Sequence, residues 1–334
     1  MMLKLSLQRN LSPRVLSVGR ESIEQNIISL LQKSNNRFIS GEKISSVLGV
    51  SRAAVWKYIK KLREGGFRIE ALPRRGYCLK LLPDKLYGHI VSSDLDTRVI
   101  GKKSIYHYED IDSTNAKAYE LADKGAEEGT VVFAETQSRG KGRMGRAWIS
   151  PSGGIYMSIV LRPRSEPSGI GAITLVSALA IARAIQDVRA VGCGIKWPND
   201  ILIEGKKVCG ILTEIKAESD KIDFLILGIG INVNVDLKKL PKTSTSLQAD
   251  RIRLVQCALK EIEKVYYQFL KQGFVSLRDE CKALSCVIKK QVVIKDHARL
   301  TEGVVVDIDE RGAMVVKTDD GALRHIFSGD VMFR

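Results

Sequence analysis

The stretch Gln137-Ser138-Arg139-Gly140-Lys141-Gly142-Arg143-Met144-Gly145-Arg146-Ala147-Trp148 holds three glycines and four cations, and no acid occurs from Thr136 through Ser165. Glycine lets a backbone approach a ligand and expose its N–H groups, while Lys and Arg neutralise phosphate oxygens. The stretch follows a run of β-branched and apolar residues, Thr130 to Thr136, that reads as a strand, and a second strand runs from Ile155 to Leu161. It is neither GxxxxGK[ST] nor a GxGxxG that opens a helix after a strand, so kinase-type and dinucleotide-type sites are disfavoured. It fits a flexible cationic flap over a nucleotide or an anionic intermediate. Standing alone, it would fit an RNA-binding basic loop or a plain mobile surface equally well.

Working outward, Ile105 to Tyr108 reads as a strand, and Asp112-Ser113-Thr114-Asn115 supplies N-cap residues for a helix ending at Gly125. An apolar helix from Ile170 to about Val188 is long enough to cover a sheet face. Strand candidates Val208–Ile215 and Phe224–Val233 complete a mixed, mostly antiparallel sheet with helices on one side, an α+β arrangement. Between them, Lys196-Trp197-Pro198-Asn199-Asp200 follows the apolar Gly194-Ile195. A lysine on such a Pro-restricted turn is placed to hold a carboxylate and a phosphate in attack geometry. Trp148 and Trp197 are candidates for a pocket lining, although core packing is the commoner use of tryptophan. Gly210, inside a strand pattern, marks a close backbone approach. After Arg251 an amphipathic helix (Leu254, Ala258, Ile262, Val265, Tyr266, Phe269, Leu270) ends at Gly273. Short strands then follow at Gln291–Lys295, Gly303–Ile308, Ala313–Lys317 and His325–Ser328, which suggests a small barrel.

The N-terminal part has a different character. Helical periodicity starts at Ser22 (Ile23, Ile27, Ile28, Leu30, Leu31) and stops near Lys33–Asn36. A second helix fits Gly41–Leu48, with Ile44, Val47 and Leu48 apolar. Gly49 turns the chain, and Ser51 caps a third helix that runs to Gly65-Gly66. This is the helix-turn-helix pattern. Phe67–Glu70 and Gly76–Leu79 then form a hairpin whose tip, Leu72-Pro73-Arg74-Arg75, makes a plausible wing. Ser51, Arg52, Ala53, Ala54 and Lys57 would approach base edges, with Lys60, Lys61 and Arg63 nearer the phosphates and Arg74 and Arg75 on the wing. The plain alternatives are a helical domain with solvated lysines or a winged helix that docks only protein.

Charge supports the division. The 334 residues carry 53 Lys+Arg and 38 Asp+Glu, a net +15, of which residues 1–84 hold +10. A basic unit on a nearly balanced body points to a polyanion-binding module, although charge alone does not separate that from a solvated surface. The longest apolar stretch, Ile170 to Ala182, is too short to span a bilayer. Six scattered cysteines without a CxxC pair read as reduced thiols in a cytoplasmic protein. His89, His107, His297 and His325 lie outside every motif, so neither a His-based triad nor a metal site is expected. Residues 1–20 lack acids and carry Lys4, Arg9, Arg14 and Arg20; they read as a leader rather than a transit peptide.

Taken in order, Ser113-Thr114-Asn115, Gln137, the Gly140–Arg146 loop, Lys196-Trp197-Pro198-Asn199-Asp200, Gly210-Ile211-Leu212 and Gly228-Ile229-Gly230-Ile231-Asn232 resemble the biotin–protein ligases, from about residue 22 to the C-terminus. The winged helix matches the branch that combines ligase and biotin-operon repressor. The resemblance implies a winged helix-turn-helix at 20–83, a class II synthetase-like catalytic domain at 84–283, and an SH3-like domain at 284–334. It implies formation of biotinyl-5′-adenylate from biotin and ATP, supplied as a magnesium complex, followed by transfer to a lysine of a biotin carboxyl carrier protein or carboxylase subunit.

By the same resemblance, Ser113, Thr114, Asn115, Gln137, Gly140, Lys141, Gly142, Ser158, Lys196 and Gly210 would bind biotin. Arg143, Arg146, Trp148, Asn199 and Asn232 would hold the nucleotide, with Lys196 and Arg143 catalytic. Adenylate binding would order the flap and a loop after Asn232, favouring a homodimer on a two-fold operator. Family loops often carry arginine where this chain has Lys141 and Met144, which removes bidentate phosphate contacts at both positions. Two alternatives stay open: a ligand-sensing repressor without catalysis, and an enzyme attaching lipoate or octanoate.

Overall fold

The computed structural model describes residues 23–164, 170–218, 221–296 and 299–334. The leader at 1–20, Ser22, Ser165 and His297 lie outside them. The chain falls into two compact units that divide between Ser93 and Asp94.

In the first unit, helices α1 (Ile23–Lys33), α2 (Gly41–Leu48) and α3 (Arg52–Glu64) bury Ile27, Ile28, Leu31, Ile44, Val55, Ile59 and Leu62. Val47 is exposed, because α2 is short and turns only Ile44 inward. The Ser40 and Ser51 side chains accept from Lys43 N and Ala54 N, satisfying first-turn donors that the helix itself leaves free. Gly49 adopts the left-handed conformation that closes α2. Strands β1 (Arg68–Leu72) and β2 (Gly76–Leu81) form the wing hairpin, with Leu72 opposite Gly76. Ile39 pairs with Tyr77 in a single antiparallel bridge that ties the segment before α2 to the wing. A short helix, α4 (Gly88–Ser92), ends this first unit, in a segment where no regular element is expected from sequence.

The second unit is built on seven strands: β3 (Ile105–Ile111), β4 (Val131–Gln137), β5 (Ile155–Leu161), β6 (Gly194–Lys196), β7 (Asp200–Ile203), β8 (Lys206–Glu218) and β9 (Lys221–Ile231). Their order is β3-β4-β5-β9-β8-β7-β6, with only β3–β4 parallel. Helices α5 (Thr114–Asp123), α6 (Ile173–Arg189) and α7 (Arg251–Gln272) do not share a side, contrary to the expectation from sequence. Alternate residues of a strand face opposite ways. Ala118 and Ala122 of α5 pack on Val132, Ala134, Val160 and Ile226. Residues of the other parity meet α6 and α7: Thr213 is 2.9 Å from Thr174, and Glu135 bonds Arg251. The sheet is therefore sandwiched, which explains the apolar runs Val131–Ala134 in β4, Ile155–Met157 and Ile159–Leu161 in β5, and Phe224–Leu227 in β9.

Burial on both faces leaves polar groups that need partners. Arg251, 2 % exposed, donates to Glu135 Oε2 at 2.7 Å and to Gly154 O at 2.8 Å, and His107 Nε2 lies 3.0 Å from Glu135 Oε1. Glu263 of α7 accepts from the backbone N–H groups of Arg98, Val99 and Ile100.

Past α7 comes α8 (Val275–Ala283), which the sequence pattern does not announce. The C-terminal sheet comprises β10 (Gln291–Asp296), β11 (Arg299–Ile308), β12 (Met314–Lys317), β13 (Leu323–Ile326) and β14 (Asp330–Phe333), all antiparallel, in the order β13-β12-β11-β10-β14. The fourth strand ends at Ile326 rather than Ser328, and β14 is additional to the four strands expected. Trp197 joins the two sheets: its Nε1–H donates to Gly312 O at 2.9 Å in the turn before β12.

Candidate active site

A cleft of about 330 Å³ opens where the N-terminus of α5, the glycine-rich loop, the β6–β7 hairpin and β14 converge. That volume lies within the range of small-molecule sites. One wall begins at Ser113, whose Oγ accepts from Ala116 N as the N-cap of α5. This cap turns the first helical residues into the cleft. Gln137, ending β4, accepts from Thr114 N at 2.8 Å and from Thr114 Oγ1 at 3.1 Å, and its Nε2 donates to Ser150 Oγ at 2.9 Å. Behind them the buried Ser158 Oγ lies 2.9 Å from Thr114 Oγ1 and 2.6 Å from Asn115 Oδ1. Asn115 Nδ2 donates to Glu214 Oε2 at 2.7 Å, and Glu214 Oε1 meets Lys141 Nζ at 3.3 Å. The polar end of the cleft is thus oriented by its own network.

The floor depends on missing side chains. A Cβ on Gly228 would stand 1.9 Å from Asn115 Oδ1, and one on Gly230 would stand 2.4 Å from Trp148 Nε1. Both glycines are cleft-facing, and Gly210 is paired with Gly230 across β8–β9. The Trp148 indole therefore lies flat on the sheet, with Lys207 Nζ 5.1 Å from its ring centre.

The cationic end is assembled by the β6–β7 hairpin, in which Lys196 pairs with Asp200 across a turn containing the cis Trp197-Pro198 bond. Arg143 Nη1 donates to Asn199 Oδ1 at 2.9 Å; Asn199 Nδ2 donates to Asp200 Oδ1 and Ile211 O. Burial draws the Arg143 guanidinium below its usual pKa, with Asp330 and Asp200 opposing that shift. Lys207 pairs with Asp200 at 2.8 Å. Lys196 Nζ sits 5.5 Å from the Phe333 ring centre, and Arg146 Nη2 bonds Asp330 Oδ1 at 2.6 Å, so β14 closes the cleft.

Of the expected ligand-binding residues, Ser113, Thr114, Asn115, Gln137, Lys141, Gly142, Arg143, Arg146, Trp148, Lys196, Asn199 and Gly210 line this one cleft. Gly140, Ser158 and Asn232 do not. Gly140 shapes the loop through a Trp148 N to Gly140 O hydrogen bond, and Ser158 sits one layer beneath. Asn232 is buried just past the end of β9, where its backbone bonds Val208 and Leu247. The structure adds Lys207, Lys295 and Asp330 to the lining, and Glu214 behind it through its bonds to Asn115 and Lys141; none of the four stands in a local motif. A smaller adjoining recess of about 240 Å³ lies between Met144, Leu175, Trp197 and Phe327. Among the described residues no group of three or more His, Cys, Asp or Glu side chains is arranged to hold a metal ion, and no helix is long and apolar enough to cross a membrane.

In the other unit, Ser51, Arg52, Ala53 and Lys57 lie exposed at the start of α3, and Arg74 and Arg75 lie exposed at the wing tip. Arg75 stacks 4.8 Å from the Phe38 ring centre. Two cations expected at the phosphates have intramolecular partners instead: Lys61 pairs with Glu24, and Arg63 Nε donates to Ile69 O at 2.8 Å. Each is close enough to satisfy a neighbouring acceptor within the unit.

Comparison with known proteins agrees with this layout. Residues 108–232 match the biotin/lipoate A/B protein ligase family, 24–78 an HTH domain, and 287–334 the biotin protein ligase C terminal domain. The chain is 38% identical over 323 residues to the bifunctional ligase/repressor BirA of Bacillus subtilis, covering 93% of this chain and 99% of that one. It is 28% identical over 319 residues to the protein of the same name from Escherichia coli, covering 92% and 96%. Among solved structures, the biotin protein ligase from Aquifex aeolicus in complex with biotin and ATP matches with a TM-score of 0.60 and 28% identity, covering 69% of this chain and 98% of that one. With a catalytic cleft and a winged helix in one chain, and with this identity across almost its whole length, the protein belongs to the biotin–protein ligases, in their bifunctional ligase/repressor branch.

Proposed function

We propose that the chain condenses biotin with ATP to biotinyl-5′-adenylate and then transfers the biotinyl group to a lysine of a carrier domain of a biotin-dependent carboxylase. The observation that carries this reading is the cleft itself, a pre-oriented polar end and a cationic end within one small cavity. The ureido head of biotin fits the Ser113, Thr114, Asn115 and Gln137 end, backed by Ser158. Its carboxylate then points toward Lys196. A carboxylate oxygen attacks the α-phosphorus, and pyrophosphate leaves. The Lys196 ammonium neutralises charge as it moves from carboxylate to phosphate, and Arg143 and Lys141 hold the resulting adenylate under the flap. The carrier's lysine amine attacks the acyl carbon next, and AMP leaves. No nucleophile of the enzyme is required.

Trp148 and Asn199 suit the nucleotide side, and the recess lined by Met144, Leu175, Trp197 and Phe327 together with Thr174 and Thr213 offers both apolar contacts and hydrogen-bonding groups to a base. Magnesium enters as part of the ATP substrate, since the two acids on the cleft wall, Asp200 and Asp330, are already ion-paired. We further assign 20–83, 84–283 and 284–334 as the functional modules, with the first binding operator DNA as part of a homodimer. Six free cysteines support a reducing, cytoplasmic setting.

Incubation with biotin, Mg-ATP and a carrier domain tests the reading: the carrier should gain one biotinyl group per AMP and pyrophosphate released. Absence of labelling, together with retained DNA binding, would favour the repressor without catalysis. Effective competition by lipoate would favour the lipoate-type enzyme.

A further inference from the structure

Trp56 is the largest side chain on the exposed face of α3, and it is 57% exposed. Among the described residues, Lys60 Nζ lies 5.9 Å from its ring centre. Leaving an indole in water forfeits the burial that such a large apolar group otherwise supplies. Nothing in the folding of α3 needs it there, because Val55, Ile59 and Leu62 already form the buried stripe. Residues three or four apart on a helix are neighbours. Trp56 therefore stands one turn after Arg52 and Ala53, beside Lys57, and one turn before Lys60. All of these residues are exposed. Ala53 is small, so nothing overhangs the indole from the helix N-terminus, the end that enters a major groove in helix-turn-helix docking.

We infer that Trp56 is a sequence-reading residue of the DNA interface, placed by α3 against base edges beside Arg52 and Lys57, with Lys60 anchoring a flanking phosphate. An indole offers an apolar face and one N–H donor. In the major groove the face matches the thymine 5-methyl group, the apolar feature that distinguishes an A·T pair there. The surrounding cations make a polyanionic duplex the matching occupant of this face. The inference rests on the DNA-binding reading above and adds the residue that supplies base discrimination.

The test uses the full chain with biotin and Mg-ATP, selected against duplexes with randomised cores. The wild type should enrich a two-fold sequence with a fixed A·T pair in each half-site. Trp56→Ala should lose the preference at that position and bind the selected duplex about tenfold more weakly, the scale of one lost base contact. Its salt dependence should be unchanged, because no phosphate contact is removed. Trp56→Phe should recover part of the preference. Carrier biotinylation by Trp56→Ala should match the wild type, and the thermal unfolding of its N-terminal unit should also match, which establishes that the unit carrying the substitution is folded. Failure of the wild type to enrich any sequence overturns the DNA-binding reading and this inference with it. If the wild type enriches a sequence and Trp56→Ala enriches the same one with equal affinity, this inference alone is overturned.

Discussion

Arg146 in the glycine-rich loop donates to Asp330 in the last strand, 2.6 Å away and 184 residues later in the chain. The flap over the cleft is thus tied to the C-terminal sheet rather than only to its own hairpin. Because the pair is partly solvent-exposed, it adds about 0–1 kcal/mol. Asp330→Asn should lower the melting temperature by no more than about 2–4 °C and speed release of biotinyl-adenylate by up to about fivefold, the ratio that ~1 kcal/mol sets. Adding Arg146→Ala to Asp330→Asn should speed release by less than the product of the two single effects, because the tie between them is lost only once. An additive double variant would show that the two residues act separately.

Lys196 is held on a hairpin, facing the ring of Phe333, and its amine is the cation assigned to the transfer of charge from carboxylate to phosphate. Lys196→Ala should slow biotin-dependent pyrophosphate exchange by about 10²–10³-fold. Biotin binding, measured calorimetrically, should persist, because the ureido end of the cleft is untouched. Exchange at the wild-type rate would remove Lys196 from the mechanism.

Gly228 and Gly230 admit the Asn115 amide and the Trp148 indole against the sheet. Gly228→Ala would drive its methyl into Asn115 and break the Ser158–Asn115–Glu214 network. Overpacking of this kind costs roughly 1–3 kcal/mol, so biotin affinity should fall at least about fivefold. DNA binding should be unaffected, which a paired titration would check.

Glu135 compensates the buried Arg251, whose guanidinium also holds Gly154 O. Glu135→Ala removes this carboxylate from a buried charge, and such losses cost about 3–5 kcal/mol. Urea denaturation should show a loss of this size. A change below about 1 kcal/mol would mean that water or another group takes over from Glu135.

Burial pushes the Cys193 thiol up to about 11 and the Cys281 thiol up to about 12. A raised thiol pKa means less thiolate, the reactive form, at any pH below it. At pH 8 iodoacetamide should leave both cysteines unmodified in the native protein and label both after unfolding, as read by mass spectrometry. Rapid native labelling of Cys281 would contradict its burial.

Much of the fold is legible in the sequence because its signals are local. Apolar periodicity locates α1, α3, β5 and α7, and Ser51 and Ser113 fix helix starts through their own side chains. The sequence pattern places the helices on one side of the sheet because the first half of β4 and most of β5 and β9 are runs of consecutive apolar residues, so alternation carries no directional information there. Strand β14 gives no clear signal because its four residues end on an exposed Phe333 and show no period.

The sequence by itself determined that a winged helix, a ligase body and a β-rich end are present, and which loop and which lysine carry the chemistry. These depend on residue types at short spacing, where glycine, proline and cap residues act through neighbouring backbone. Only the tertiary structure decided that Glu214 links Asn115 to Lys141, that Asp330 closes the flap, and that Asn232 is buried outside the cleft lining. Each of these depends on packing between segments far apart in the chain. The energies involved are set by distance and burial, and neither exists until the sheets have packed.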